Sequence, residues 1–336
     1  MVNILGKRRE CITWYNNGME RTPEQKPERT DLRYPETFGI EPHTYEREID
    51  PAVRELAGKL HAFQEETDEY QLPDDALETV RRLEHAYDTD DTQHEKKAHL
   101  YAMALEFLVE EMSHAWFKDC NIWRASAYDD YKNQTDLFLD IPSPDERDEG
   151  WVTVAIDVTS EYNAASKKVA EAMAEYRRGW LHSVDYFRPP TDEDTREPGR
   201  TFMPRMIVGA SSKEVASLAR AYGRYLHAGA RNKAQEFDRL RFHPLAGEVY
   251  EELVRQAKVA HHMMRRNLLD EPNANETRRE ALKEHSKYLD KVHRALKERY
   301  QRWKNMAREH EKQARGLGRM PETPLNPVLQ AVLRAG

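Results

Sequence analysis

Two cysteines in 336 residues, Cys11 and Cys120, with no CxxC pair and no Cys/His ligand spacing, exclude a disulfide framework and a finger-type zinc site. Long apolar runs are also missing. No stretch approaches the ~20 residues of a membrane span, 33% of residues are charged and mean hydropathy is −0.93, so a water-soluble chain without a membrane partner is expected. The opening MVNILGKRRECITW is basic but lacks the apolar stretch of a secretory leader, and the expected location is cytoplasmic. The chain has no GxGxxG, Walker A or GxSxG element, which removes the usual nucleotide-cradling and acyl-transfer readings. HEKKAH places His94 and His99 five residues apart, about 140° around a helix, so a zinc protease of the HExxH kind is excluded. His261 and His262 are adjacent on a helix and point in different directions.

Charge is plentiful and unevenly placed. The total is −8, but Glu46 to Asp91 holds 15 acidic against 5 basic residues, while Glu276 to Arg319 holds 7 against 14. Residues 1–50 are polar and contain Pro23, Pro27, Pro35 and Pro42, an extended arm by composition. Residues 51–92 form an acidic helical segment, 93–226 an α/β core and 227–336 a helical region. In the last of these, Leu282, Leu289, Leu296 and Trp303 recur at heptad spacing, as in a packed amphipathic helix or a short coiled coil, the latter a route to self-association. Its cations Arg278, Arg279, Lys283, Lys287, Arg294, Arg302 and Lys304 suit a track of phosphates. Opposite charge predicts that the acidic segment packs near this helix and competes with nucleic acid for it.

The chemistry-bearing stretch is 100–170. A helix over 93–118 is apolar on nearly every side, with Leu100, Met103, Leu105, Phe107, Leu108, Val109, Met112 and Trp116, and carries Glu106, Glu110, Glu111 and His114. TDLFLDI (135–141) and WVTVAIDVTS (151–160) read as a hairpin, the second with Val152, Val154, Ile156 and Val158 on one face and Thr153, Ala155, Asp157 and Thr159 on the other. A helix over 164–179, a short strand at 184–189, a strand over 202–211 and a helix capped by Ser211 or Ser212 follow. Asp136 and Asp157 thus fall on adjacent strands in apolar surroundings, where an ionised carboxylate needs a partner. A hard divalent cation relieves the repulsion between two of them, and Mg²⁺ or Mn²⁺ is the expected cofactor. Asp129, Asp130 and Lys132 stand just before the first strand, and Glu106 or Glu110 can supply a further carboxylate.

These pieces, Asp129-Asp130-Tyr131-Lys132-Asn133, Asp136 and Ile156-Asp157-Val158-Thr159, resemble the PD-(D/E)XK nuclease superfamily over about residues 95–225. The resemblance implies an α/β (α+β) fold with an αβββαβ core and mixed sheet, extended by N-terminal helices and long C-terminal ones. It implies metal-dependent phosphodiester hydrolysis on nucleic acid, DNA ahead of RNA. Asp136, Asp157, Glu106, Glu110 and Asp130 are the metal-ligand candidates. The family's lysine position holds Thr159, so Lys132, Lys167 or Lys168 must supply the ammonium. The alternative is an inactive nuclease fold that binds partners or itself through its helices.

Overall fold

A computed structural model of the chain describes residues 49–68, 72–90, 93–145, 150–160, 162–187, 200–271 and 274–316. The proline-rich arm, the 190–199 loop and residues 317–336 lie outside the described residues, apart from the arm's last two. The chain opens with three helices, α1 (Pro51–Asp68), α2 (Asp74–Asp90) and α3 (Gln93–Glu111), and a single turn, α4 (Ser113–Trp116). Strand β1 (Asn121–Arg124), helix α5 (Ala127–Asn133) and strands β2 (Leu137–Pro142) and β3 (Trp151–Thr159) follow. Helix α6 (Tyr162–Arg177) leads through β4 (His182–Val184) and β5 (Thr201–Met203) to β6 (Arg205–Gly209). Four helices close the described chain: α7 (Ser212–His227), α8 (Ala230–Arg241), α9 (Pro244–Asp270) and α10 (Glu276–Gly316). The result is a mostly helical α+β protein around a small mixed sheet of order β1-β2-β3-β6.

The hairpin forms because β3 alternates strictly, and its register sets Leu137 opposite Ile156 and Ile141 opposite Val152. The even face of β3 joins Leu105, Leu108 and Val109 of α3 and Val215 and Leu218 of α7 in the largest apolar cluster. On the odd face Ala155 packs with Phe138, Val184 and Met203, below the small β4-β5 sheet. Strand β6 runs parallel to β3, with α6 as the crossover that a parallel pair requires. The apolar stretch 202–211 is two strands rather than one, because Pro204 has no N–H to give; its carbonyl accepts from Ala155 N at 2.8 Å. As an edge strand β6 would leave backbone groups open, and Gln256 of α9 closes them. Its Oε1 accepts from Ile207 N at 2.9 Å and its Nε2 donates to Ile207 O at 2.8 Å.

Local signals set the helix ends. Ser211 and Glu214 form a reciprocal capping box at α7, and Ser126 caps α5 by accepting from Asp129 N. Gly179, with φ 76°, follows α6; a Cβ there would lie 2.5 Å from Leu282 Cδ2, so the backbone and the approach of α10 both demand glycine.

Two expectations need correction. The 93–118 helix is α3 plus the separate turn α4, and a strand (β1) lies in the polar stretch beyond it. The acidic segment does not lie along the basic helix: α1 packs mainly on α3 and α7, and α2 on α5, because Val53 and Leu56 enter the main core and Leu72, Ala76 and Val80 pack with Ala127 and Tyr186. The heptad strip of α10 packs as an amphipathic helix within the chain, as expected, with Leu282 and Leu289 in one apolar cluster and Val292, Leu296 and Trp303 in another. None of the described helices is long and apolar enough to cross a membrane.

Candidate active site

Six elements converge at one end of the β2–β3 pair. Asp136 immediately precedes β2 rather than lying in it, its N–H donating to Ile156 O at 2.9 Å. Its carboxylate turns to the neighbouring strand, where Oδ2 accepts from Val158 N. Asp157 stands on the odd face of β3 and is fully buried. Two cations hold it: Lys168 of α6, whose Nζ lies 2.5 Å from Oδ1, and Arg205 of β6, which donates to Oδ2. The Arg205 guanidinium also donates to Gln134 Oε1 at 2.6 Å, and Gln134 is held by its left-handed backbone, φ 55°, at the end of α5.

Asp130 of α5 and Glu106 of α3 complete the cluster. Asp130 shares a hydrogen bond with Asp136, and Glu106 is buried with no hydrogen-bond partner at Oε1 among the described residues. Burial, and then the charge of Asp136, push the Glu106 carboxyl well above the usual range, against the pull of Arg124. Asp130 is raised in the same way by burial, Asp136 and Glu106. Asp136 is pushed up to about 6 by burial and by Asp157, against the pull of Lys168 and the Val158 N–H. Burial works against the Lys168 ammonium, but Asp157 and Asp136 outweigh it and hold its pKa above the ordinary lysine value. Glu106 and Asp130 thus hold their protons more tightly than free carboxyls do, which eases the crowding of four acids, two buried and two half-buried, beside Lys168 and Arg205.

Not every candidate reaches this cluster. Asp129, next to Asp130, is fully buried and accepts from Asp185 N at 2.8 Å, Tyr186 N at 2.9 Å, Ser126 Oγ at 3.0 Å and Asn133 Nδ2 at 2.7 Å, tying α5 to the end of β4. Glu110 pairs with Arg124. Lys132 is exposed and lies over the Tyr128 ring at 5.3 Å. Lys167 is exposed, 4.0 Å from Glu171, so of the three lysines Lys168 is the one beside the acids. Arg205 and Gln134 were not among the candidates. A lone arginine inside the buried run MPRMIVG was the available signal for the first; a glutamine at a helix end gave none for the second. Among the described residues no three His, Cys, Asp or Glu side chains stand together in cation-holding geometry.

Comparison of the chain with protein-family models, with curated proteins and with solved structures found no match.

Proposed function

We propose that the chain is a metal-dependent phosphodiesterase of the PD-(D/E)XK kind, acting on nucleic acid, DNA ahead of RNA. The observation that carries this reading is Lys168 Nζ at 2.5 Å from Asp157, next to Asp136 and two further acids. It supplies from the following helix the ammonium that Thr159 cannot. The order α3-β1-β2-β3-α6-β6, with α4, α5 and the β4-β5 pair interposed, supports the αβββαβ core that the resemblance implies. The donor set suits Mg²⁺ or Mn²⁺, since it consists of carboxylate oxygens and includes the orphaned Glu106 Oε1. Asp136, Asp157 and Glu106 are the carboxylates that would hold the cation, and they would have to draw together to do so, because they do not stand in cation-holding geometry.

When bound, the cation polarises the phosphoryl group and makes water a better nucleophile. The protein's own groups do the rest. Lys168 sets a positive charge where the phosphoryl oxygens gain negative charge. Asp136, with a pKa of about 6, is matched to accepting a proton from water near neutrality. Arg205 fixes the Asp157 carboxylate from the adjacent strand. The basic helix is a weaker candidate for the nucleic-acid track, since Arg278, Lys287, Arg294 and Arg302 already face acids.

One observation favours the second reading, a catalytically inactive fold: both oxygens of Asp157 are engaged by cations of the protein. Nicking assays on DNA and RNA with Mg²⁺ or Mn²⁺ separate the two. Cleavage that chelator abolishes and that falls at least a hundredfold in Asp136→Asn and Lys168→Met supports the enzyme. Folded wild type that never cleaves, or variants that cleave equally, would sink it.

A further inference from the structure

Along the seam where α9 packs on α10 stands a stripe of cations that the chain's acids leave unanswered. On α9, Lys258, His261, His262 and Arg265 recur three and four residues apart, which puts them on one side of the helix. On α10, His293 and Lys297 are four apart and share a side in the same way. The two sides meet at the seam. His261 Nδ1 lies 3.7 Å from Asp290 of α10, and His293 feels the charge of Lys297 from its own helix and of Lys258 from α9. Lys258, His262, Arg265 and Lys297 are exposed, so the stripe is open to a ligand.

Other cations of these helices have an acid one turn away. Arg255 pairs with Glu252, Arg266 with Asp270, Arg294 with Asp290 and Arg302 with Glu298. Lys258, Arg265 and Lys297 have none, because the residues three and four positions to either side of each are Val, Leu, Tyr, Gln, His or Arg. Among the described residues no acid lies in ion-pair reach of the three, and Asp290, which faces the histidines, is bonded by Arg294 at 3.0 Å. Burial and the neighbouring cations hold the His261 and His293 rings below the ordinary histidine range, against the pull of Asp290, so at neutral pH they add hydrogen-bonding groups without adding acid. The stripe ends at Glu251, two turns before Lys258, whose carboxylate accepts from Tyr300 Oη at 3.4 Å. Lys258 and Arg265 stand seven residues and so about 10 Å apart, the axial rise of about three phosphates of one strand, with Lys297 across the seam. No large apolar side chain is exposed between Lys258 and Arg266, so the stripe lacks the apolar centre on which a protein partner would pack.

We propose that the α9–α10 seam carries the phosphate backbone of a nucleic-acid duplex on Lys258, Arg265 and Lys297. This rests on the nucleic-acid part of the proposed function and not on cleavage, so binding is measured without metal. Fluorescence anisotropy of labelled DNA and RNA duplexes of about 20 base pairs, titrated with the full chain in EDTA from about 50 to 300 mM salt, is the test. At least one duplex should bind with Kd below about 100 μM at the lowest salt and weaken steeply as salt rises. The triple variant Lys258→Gln, Arg265→Gln, Lys297→Gln changes only exposed side chains. It should bind at least about tenfold more weakly and flatten the salt slope by about 2.7, roughly 0.9 for each cation removed. Removing three exposed cations of α7 and α8 instead, by Lys213→Gln, Arg231→Gln and Lys233→Gln, should change affinity by less than about threefold. A chain that binds in this way and cleaves nothing supports the seam while removing the nuclease reading alone. No binding of either duplex, unchanged affinity in the seam variant, equal losses in both triple variants, or polyglutamate competing as well as unlabelled duplex would overturn the proposal.

Discussion

Asp136→Asn should make the protein more stable at pH 8, the reverse of what losing a structural carboxylate does. The carboxyl moves from 3.8 to about 6 on folding, so the native state holds its proton more tightly than the unfolded chain. A group raised in this way contributes stability that is fully present below pH 3.8 and is lost as pH rises through 6. Roughly two pKa units correspond to about 3 kcal/mol. Between pH 5 and 8 roughly half of this is lost, the remainder having gone below pH 5. Asparagine removes the charge and keeps an oxygen for the Val158 N–H. The variant should therefore exceed wild type by about 3 kcal/mol at pH 8 and by roughly half that at pH 5. Urea unfolding at both pH values measures the difference, with unchanged slopes showing that the two states are the same ones. A variant less stable than wild type at pH 8 would refute the reasoning, because Asp136 would then be held in place by favourable interactions alone.

The neighbours Asp129 and Asp130 should part company. Asp129→Asn turns an amide donor toward groups that are already donors and should cost about 2–4 kcal/mol. Asp130→Asn replaces a carboxyl that burial and Asp136 push toward its protonated form and should stay within about 1 kcal/mol at pH 7. Equal losses in chemical denaturation would contradict the assignment. Gln256→Leu leaves both Ile207 backbone groups unpaired and should cost about 2–5 kcal/mol, with faster hydrogen exchange at the Ile207 amide as its signature.

Much of the fold was legible. Strict alternation over 151–160 and the turn formers before it specify the hairpin, and the 3.6-residue pattern specifies α6, α7 and α10. Strand β1 was not legible, because four residues, NIWR, carry no period of their own and become a strand only by pairing with β2. Asp136 was assigned to a strand that begins one residue later, a difference that decides where its carboxylate turns. The choice between Lys167 and Lys168 was within reach. Val169, Ala172, Met173 and Tyr176 mark the packed side of α6, and Lys168, one turn before Ala172, shares that side. The expected docking of acidic on basic segments failed for a physical reason: screened surface charge is weak beside burial of Val53, Leu56 and Leu72.

The central claim rests on Asp136 and Lys168 serving a metal-dependent cleavage. Initial rates of Mn²⁺-dependent DNA nicking from pH 5 to 9 test it, with Asp136→Asn measured alongside. The account predicts a wild-type rate that climbs through about pH 6 as the Asp136 carboxyl releases its proton, and a variant at background throughout. A folded wild type without cleavage at any pH, or a variant that follows the same profile, would contradict it.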